Sequence, residues 1–285
     1  MNIFNTVAEM QEGSTAVRRS GKTIAFVPTM GALHAGHASL LQRGRSEADH
    51  LVLSIFVNPT QFGKNEDLEK YPRTFDSDLK IAEDCGVDVV FAPTAGEIYP
   101  RGFQTFVQLK NLPNSLCGIK RPGHFCGVTT IVLKLFHIVQ PDIALFGRKD
   151  YQQLRLIEQM TADLHLPIRI LPCDIVRESD GLAISSRNCY LSAVERETAV
   201  RVSQSLKAVQ TWIHEGDMDT HSLENRLIRF LSDDGKITVD YATLCDPETL
   251  EPLKRLKKKS LLAIACFIGK TRLIDNGILN LKEIL

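Results

Sequence analysis

The stretch that decides the fold runs from Thr23 to His37 and reads TIAFVPTMGALHAGH. Its first part, Thr23–Val27, is an apolar run that predicts a buried strand, and the following run from Ala38 to Ala48 predicts an amphipathic helix. A glycine-bearing turn joins the two. This arrangement suits a polyphosphate, because backbone N–H groups at the start of a helix favour anions.

The turn ends in the tetrad His34-Ala35-Gly36-His37. Imidazoles beside a helix N-terminus can donate hydrogen bonds to phosphoryl oxygens, and an H-x-G-H at this place resembles the signature of the nucleotidyltransferase superfamily. Two simpler readings stay open: a histidine that only caps the helix or fills the core, and a zinc site. Zinc needs three or four ligands, whereas none of the seven cysteines lies near this turn in the sequence.

Composition narrows the class of protein. Lys plus Arg and Asp plus Glu both total 34 in 285 residues, with 18 of each up to Val176 and 16 of each from Arg177 onward. This even balance argues against a nucleic-acid-binding protein. No apolar run reaches the ~18 residues of a membrane helix, and no signal peptide is visible. The scattered cysteines suit reduced thiols, so we expect a cytoplasmic protein without a membrane or nucleic-acid partner.

Strand and helix patterns alternate in the first part of the chain. Two-sided apolar runs, which belong to a parallel sheet covered by helices on both faces, occur at Leu51–Val57, Val87–Ala92, Ile143–Phe146 and Ile168–Leu171. Helical spacing marks residues 128–139 and the segment after Asp150. We therefore predict an α/β domain over residues 1–176, a doubly wound Rossmann-like parallel sheet that binds ligands at the carboxyl ends of its strands.

The pattern changes after Val176. Ser192 is placed to cap a long helix through Ile213, and a shorter helical pattern follows at 223–231. Three strand-like segments then occupy Lys236–Leu244, Ser260–Phe267 and Thr271–Asp275. Helices followed by strands predict a smaller C-terminal α+β domain over residues 177–285.

Polar loops follow several of the predicted strands. Asn58 and Gln61 carry amides suited to a small polar substrate, although an Asx-Pro turn explains them equally well on local grounds. The loop 147–150 places a glycine beside a lysine, as phosphate-binding loops do, but Asp150 and Gln153 also fit a helix-capping box.

Two further loops contain groups suited to anions. Ser185, Ser186 and Arg187 lie in the loop 181–188, where they would bind or cover phosphates, unless this loop is only a solvated turn. The loop 121–127 is bracketed by glycine, and its polar groups equally suit the start of the helix after it. Each motif is weak alone, and their convergence on strand ends is the stronger signal.

Together these motifs resemble the pantoate–β-alanine ligase family over nearly the whole chain. The matching stretches are Pro28–Gly31, His34–His37, Val57–Phe62, Tyr71–Thr74, Arg121–Phe125, Phe146–Gln153, Ser185–Asn188 and Gly269–Asn276. Two departures are slight: Arg148 stands where members often have an acidic residue, and Ile184 where leucine is common. The extra cation at Arg148 is expected to alter nucleotide affinity at most.

The resemblance implies a ligase that condenses pantoate with β-alanine, using ATP and Mg²⁺, through a pantoyl-adenylate. It implies His37 and His34 as catalytic residues, with Lys149, Ser185, Ser186 and Arg187 on the triphosphate. The residues it implies around the nucleotide are Met30, Gly31, His34, Gly36, His37, Gly147, Arg148, Lys149, Asp150, Val176, Ile184, Ser185, Ser186 and Arg187.

The resemblance also implies a substrate pocket and an assembly. Gln61 and Gln153 would bind pantoate, supported by Asn58 and Tyr71, and Asp78 would contact Mg²⁺ through water. A homodimer is implied, with the C-terminal domain as a lid that excludes water from the mixed anhydride.

Three other functions remain as alternatives. Another HxGH nucleotidyltransferase would adenylylate a small-molecule acceptor and share the tetrad, but it has no obvious need for the paired amides at Asn58 and Gln61. A relative of the class I aminoacyl-tRNA synthetases would need an RNA-binding surface, which the charge distribution does not offer. A non-enzymatic ATP sensor has no use for both histidines together with Lys149 and Arg187.

Overall fold

The computed structural model describes residues 1–63 and 66–284. The chain divides into two compact units. The first unit comprises Met1–Pro113, Arg121–Arg148 and Gln153–Asp174, and the second comprises Asn114–Lys120, Lys149–Gln152 and Ile175–Leu285. The sequence did not indicate that 114–120 and 149–152 group with the C-terminal part. The proposed catalytic and lid domains, 1–176 and 177–285, stay a prediction.

A six-stranded sheet forms the centre of the first unit, and every neighbouring pair of its strands is parallel. Its strands are β1 (Asn2–Phe4), β2 (Ile24–Thr29), β3 (His50–Ile55), β4 (Val89–Phe91), β5 (Ile143–Gly147) and β6 (Arg169–Cys173). The spatial order is β1-β4-β3-β2-β5-β6. The chain moves from β2 out through β3 to β4, then returns to the other side of β2 with β5. The order therefore reverses between β2 and β5, which is where open α/β sheets bind ligands.

The helices connect and flank the strands of both sheets. They are α1 (Val7–Arg19), α2 (Ala35–Glu47), α3 (Phe75–Asp84), α4 (Ala95–Ile98), α5 (Leu116–Lys120), α6 (His124–Val139), α7 (Tyr151–Asp163), α8 (Ala193–His214), α9 (Thr220–Ser232) and α10 (Leu281–Ile284). Among the described residues, no helix is both long and apolar enough to cross a bilayer.

Alternation along β2 explains how helices cover both faces of the sheet. Ala25 and Val27 join a buried cluster with Leu40 and Leu41 of α2, while Phe26 points to the opposite face and is also fully buried. Helices α1 and α6 pack on that opposite side and contact β2. Two-sided burial explains the continuous apolar runs of the central strands, and the predicted doubly wound Rossmann-like parallel sheet is confirmed. Strand β6 differs, because it lies at an edge of the sheet and contains no buried residue, so the predicted burial of Ile168–Leu171 is wrong.

The second unit contains an antiparallel sheet of three strands, β7 (Ile237–Cys245), β8 (Lys259–Ile268) and β9 (Thr271–Asn280). Helices α8 and α9 cover it, and their apolar residues share one buried cluster with the sheet. Ser192 caps α8 as the sequence predicts, with Glu195 completing a capping box. The smaller α+β part of the fold prediction is confirmed as well.

The predicted elements match the observed ones to within a few residues, but strand β1 and helices α1, α3, α4, α5 and α10 were not predicted. Helices α4, α5 and α10 have only four or five residues each, too few to show a helical spacing of apolar residues. Strand β1 is short and largely exposed, so its burial pattern carries no signal. Helix α1 did have a start signal in the sequence, because Thr6 and Glu9 form a capping box in the structure and the motif T-x-x-E predicts one. Helix α3 begins at Phe75 after the N-cap residue Thr74, and Asp76 and Asp78 lie in its first turn. This start signal was also readable in the sequence, although the Thr74 side chain makes no capping hydrogen bond.

Candidate active site

The HxGH tetrad lies between the carboxyl end of β2 and the start of α2. His34 is the N-cap residue of α2, and its Nδ1 accepts a hydrogen bond from the Gly36 N–H at 3.1 Å. His37 Nδ1 accepts from the His34 N–H at 3.3 Å. The glycine is required by close approach, because a Cβ at Gly36 would lie 2.9 Å from Cε1 of His34. The interpretation of these histidines as helix caps is therefore correct for their Nδ1 atoms.

Capping also determines where each imidazole carries its proton. A backbone N–H can only donate, so Nδ1 of both His34 and His37 must be the acceptor. In the neutral ring the proton then lies on Nε2, which makes that atom a hydrogen-bond donor. The two rings are neighbours, with centroids 4.1 Å apart. Two Nε2–H donors beside a helix N-terminus form an arrangement that attracts anionic oxygens.

The loop after β5 starts beside this turn, since β2 and β5 are paired in the sheet. Gly147 ends β5, and Arg148 follows it with its Nε 3.3 Å from Oδ1 of Asp174. Met30 and Gly31 follow the end of β2. Within the first unit, the residues predicted to contact the nucleotide thus come together where the strand order reverses.

Gln61 lies after β3, in a short 3-10 helix over Pro59–Gln61. Its side chain is buried, its Oε1 accepts from Asn58 Nδ2 at 3.1 Å, and its Nε2 lies 3.0 Å from the sulfur of Met30. Gln61 therefore reaches the turn that follows β2.

Asn58 is buried and fully engaged with the protein. Its Nδ2 donates to Gln61 Oε1 and to the Gly127 carbonyl, both at 3.1 Å. Its Oδ1 accepts from the hydroxyls of Tyr99 at 2.7 Å and Thr60 at 2.9 Å. Burial raises the pKa of the Tyr99 phenol above its ordinary value, so this hydroxyl remains a donor. These contacts hold the Asn58 side chain against the Gln61 amide, while the predicted role of Asn58 beside pantoate stays a prediction.

The start of α6 provides further contacts that sequence reasoning left without a role. His124 Nδ1 lies 2.7 Å from the Gln61 carbonyl oxygen. Gly127 lets the backbone approach so closely that a Cβ there would lie 2.4 Å from the Thr60 carbonyl oxygen. The glycine-bracketed loop 121–127 was the available signal, but its partners are more than 60 residues away in the sequence.

An ion pair holds the loop before α6. Arg121 donates from Nε and Nη2 to the two carboxylate oxygens of Glu66, at 2.7 and 2.5 Å. Burial tends to raise the pKa of Glu66, but the hydrogen bonds and charge of Arg121 outweigh it and hold this pKa below its ordinary value. Arg121 Nη1 also lies 3.0 Å from Nε2 of His124.

Two more predicted pantoate residues lie in the first unit. Tyr71 is buried, with its ring edge-on to Phe62 at a centroid distance of 6.0 Å. Gln153 is half-buried on α7, and its side chain makes no hydrogen bond to any of the residues that the structure describes. Neighbouring Gln152 is engaged, since its amide bonds the backbone of Ser115 and Cys117. The predicted roles of Tyr71 and Gln153 stay predictions.

The remaining nucleotide candidates belong to the second unit. Val176 and Ile184 are joined by a backbone hydrogen bond of 3.0 Å. Ser185 caps the 3-10 helix Ser186–Tyr190 by accepting from the Arg187 N–H at 3.3 Å. Ser185, Ser186 and Arg187 are thus grouped at one helix start. Lys149 has its Nζ 3.9 Å from Asp150, and its carbonyl accepts from Asn276.

A parallel sheet whose strand order reverses at an HxGH turn is the architecture of a nucleotide-binding enzyme of the nucleotidyltransferase type. Comparison with known proteins gives the family. The pantoate–β-alanine ligase family model matches residues 2–278, and the chain belongs to this family, whose members are ligases.

Relatives and solved structures agree with that assignment. The chain is 53% identical to a pantothenate synthetase of Geobacter sulfurreducens, over 99% of this chain and 100% of that protein. It resembles a crystal structure of pantothenate synthetase from Thermus thermophilus, with a TM-score of 0.91, 41% identity, and coverage of 97% and 99% of the two chains. It also resembles a pantoate–β-alanine ligase from Francisella tularensis, complexed with β-γ ATP and β-alanine, with a TM-score of 0.80, 34% identity, and coverage of 98% and 97%.

Proposed function

We propose that this chain condenses pantoate with β-alanine, consuming ATP through a pantoyl-adenylate and releasing AMP and pyrophosphate. The observation that carries the proposal is the HxGH turn, where both Nδ1 atoms accept backbone N–H groups and both Nε2 atoms are donors. Gln61, reaching the same turn through Met30, supports a polar substrate beside the phosphates.

In the first step a carboxylate oxygen of pantoate attacks the α-phosphorus of ATP. The bond from that phosphorus to the oxygen bridging to the β-phosphate breaks, and pyrophosphate leaves with that electron pair. The protein chiefly positions two anions and meets the charge that builds on the phosphoryl oxygens. We assign this to the Nε2–H groups of His34 and His37 and to the N-terminus of α2.

The other ATP contacts are proposed on the family resemblance. Lys149, Ser185, Ser186 and Arg187 bind the triphosphate and the leaving pyrophosphate. The residues around the nucleotide are Met30, Gly31, Gly36, Gly147, Arg148, Asp150, Val176 and Ile184. The grouping of Ser185, Ser186 and Arg187 at a helix start supports their role, since backbone N–H groups and hydroxyls there favour phosphate.

In the second step the β-alanine amine attacks the acyl carbon, the bond to the AMP oxygen breaks, and the amine releases a proton. Gln61 and Gln153 hold pantoate through hydrogen bonds, with Tyr71 beside the pocket. Asn58 supports Gln61 through the contact described above. Gln61 Oε1 accepts from Asn58, and one N–H of Gln61 Nε2 contacts the Met30 sulfur. The amide nitrogen carries a second N–H, and we assign this donor to a ligand oxygen.

We further propose that ATP acts with Mg²⁺. Among the residues that the structure describes, no group of three or more His, Cys, Asp or Glu side chains could hold a metal. The ion would therefore be bound mainly by phosphate oxygens and water, as Mg²⁺ commonly is at nucleotide sites. It would supply neutralisation of phosphate charge. A cytoplasmic homodimer is proposed on the resemblance alone, and light scattering of the purified protein tests the dimer.

The decisive experiment omits β-alanine. With ATP, Mg²⁺ and pantoate, we expect radioactive pyrophosphate to exchange into ATP only when pantoate is present. Addition of β-alanine should release AMP. Release of ADP and phosphate would contradict the proposed mechanism. Exchange without pantoate, but with another acceptor, would favour the second candidate, a nucleotidyltransferase that adenylylates a different small molecule.

A further inference from the structure

Asp78 is a buried carboxylate at the first turn of α3, with 2% of its surface exposed. Its Oδ2 accepts from the Ala32 N–H at 3.0 Å, and its Oδ1 accepts from the Leu33 N–H at 2.8 Å. Oδ1 also accepts from the Thr74 hydroxyl at 3.0 Å. Both oxygens therefore contact protein donors, and two of these belong to the turn that leads into the HxGH tetrad.

That turn has an unusual backbone. Gly31 and Ala32 both have positive φ values, 81° and 51°, and Ala32 carries a Cβ that disfavours this conformation. Successive N–H groups in such turns converge and bind an anion. Here the anion is supplied by the protein, as the carboxylate of Asp78. Hydrogen bonds to a charged acceptor are stronger than neutral ones, so they can hold a backbone that the residue type does not favour.

The position of the turn links Asp78 to the proposed chemistry. Asp78 accepts a hydrogen bond from the Leu33 N–H. Leu33 directly precedes His34, the N-cap residue of α2. The backbone N–H of His34 in turn fixes the His37 ring through its Nδ1. A shift of this turn would therefore move both imidazoles, although Asp78 touches neither of them in any contact described above.

These contacts do not fit a magnesium ligand. A carboxylate that contacts Mg²⁺ through water needs an oxygen that faces water, whereas Asp78 is buried and surrounded by N–H and O–H donors. We infer that Asp78 is a positioning residue, which holds the turn at Gly31–Leu33 so that His34 and His37 present their Nε2 donors. The inference rests on the proposed function for its kinetic consequence.

The test compares Asp78→Asn with Asp76→Asn. Both replacements remove one charge from the first turn of α3, but Asp76 is exposed. The asparagine at 78 keeps an acceptor for one N–H and turns an NH₂ group toward the other. We expect pantoate-dependent pyrophosphate exchange to lose roughly 10²-fold in kcat, because a misplacement near 1 Å costs about that much. KM for ATP and the half-saturating Mg²⁺ concentration should change less than about threefold, and Asp76→Asn should behave as wild type.

A second readout does not depend on activity. The imidazole ¹⁵N shifts of His34 and His37 should change in Asp78→Asn and stay unchanged in Asp76→Asn. If Asp78→Asn does not fold, Thr74→Val removes one donor to the same carboxylate and should give a smaller change in both measurements. Absence of pantoate-dependent exchange in wild type would refute the proposed function, while the ¹⁵N shifts would still test the positioning role.

Three results would overturn the inference. The first is a Mg²⁺ requirement that rises about tenfold or more in Asp78→Asn, with activity restored at high Mg²⁺, which would make Asp78 a metal contact. The second is an equal loss in Asp76→Asn, which would point to the charge of the helix start. The third is unchanged exchange and unchanged ¹⁵N shifts in folded Asp78→Asn.

Discussion

Replacing His37 by asparagine separates the two tasks that the structure gives this side chain. The Nδ1 atom caps α2 by accepting from the His34 N–H at 3.3 Å, while Nε2 is the proposed donor to phosphate. The Oδ1 atom of asparagine takes the place of Nδ1, so His37→Asn keeps that acceptor. Its NH₂ group then lies near the position of the imidazole Cδ2 and does not replace the Nε2 donor. His37→Ala removes both.

The two variants should differ in stability and agree in activity. Loss of a donor that acts chiefly in the transition state costs about 10²–10³ in turnover, or roughly 2.7–4 kcal/mol. Both variants should show this loss in the adenylation half-reaction. Loss of a cap costs about 1 kcal/mol, so only His37→Ala should melt lower, by about 2–4 °C for a protein of this size.

The assay is pyrophosphate exchange with ATP and pantoate, followed by thermal melting of each apo variant. Preformed pantoyl-adenylate with β-alanine should bypass most of the defect, because the amine attack requires no departure of pyrophosphate. If His37→Asn keeps nearly full activity while His37→Ala loses it, the histidine acts only as a cap and the proposed role is wrong. A variant slowed equally with preformed adenylate would also refute the reasoning.

Three more predictions concern the proposed pantoate residues, the start of α6 and the ion pair of Glu66. Gln61→Ala, and separately Gln153→Ala, should weaken pantoate binding by about 1–3 kcal/mol in calorimetry and leave ATP binding nearly unchanged; equal losses for both ligands would contradict the assignment. Gly127→Ala should displace the Thr60 carbonyl, lower the free energy of unfolding by about 1–3 kcal/mol and weaken pantoate binding. Gly96→Ala is the matched control in the same melts, because a Cβ at Gly96 meets nothing closer than 4.0 Å. The folded-state pKa of Glu66 is lowered, so its ion pair stabilises the protein above the unfolded pKa of about 4.3, and this stability is lost as pH falls through the lower folded pKa. The melting temperatures of wild type and Glu66→Gln should therefore converge over that pH window. A constant difference in melting temperature would contradict the prediction.

The sequence determined the elements whose signals are local. Continuous apolar runs predicted the buried strands, because a parallel sheet covered on both faces leaves no polar side. Ser192 and the spacing through Ile213 predicted α8 together with its cap. The HxGH tetrad was visible for the same reason, since its two histidines lie on one short turn. Their side chains accept hydrogen bonds from the backbone N–H groups of Gly36 and His34 in that turn.

Tertiary structure decided which contacts each candidate residue makes. Asn58 and Gln61 look alike in sequence as amides after a strand, but buried contacts from Gly127 and Tyr99 occupy the Asn58 amide. His124 contacts the Gln61 carbonyl, and the Gly127 carbonyl accepts from Asn58, each across more than 60 residues of chain, so no local pattern reveals these contacts.

Asp78 shows the same limit most clearly. In the sequence it is one acidic residue shortly after Tyr71–Arg73, and the family resemblance suggested a metal contact through water. Only folding brings it against the N–H groups of Ala32 and Leu33, more than 40 residues earlier in the chain. A residue's type and spacing determine which bonds it can make, but burial and the donors around it decide which bonds it does make, because an ionised group taken out of water must find its partners within the fold.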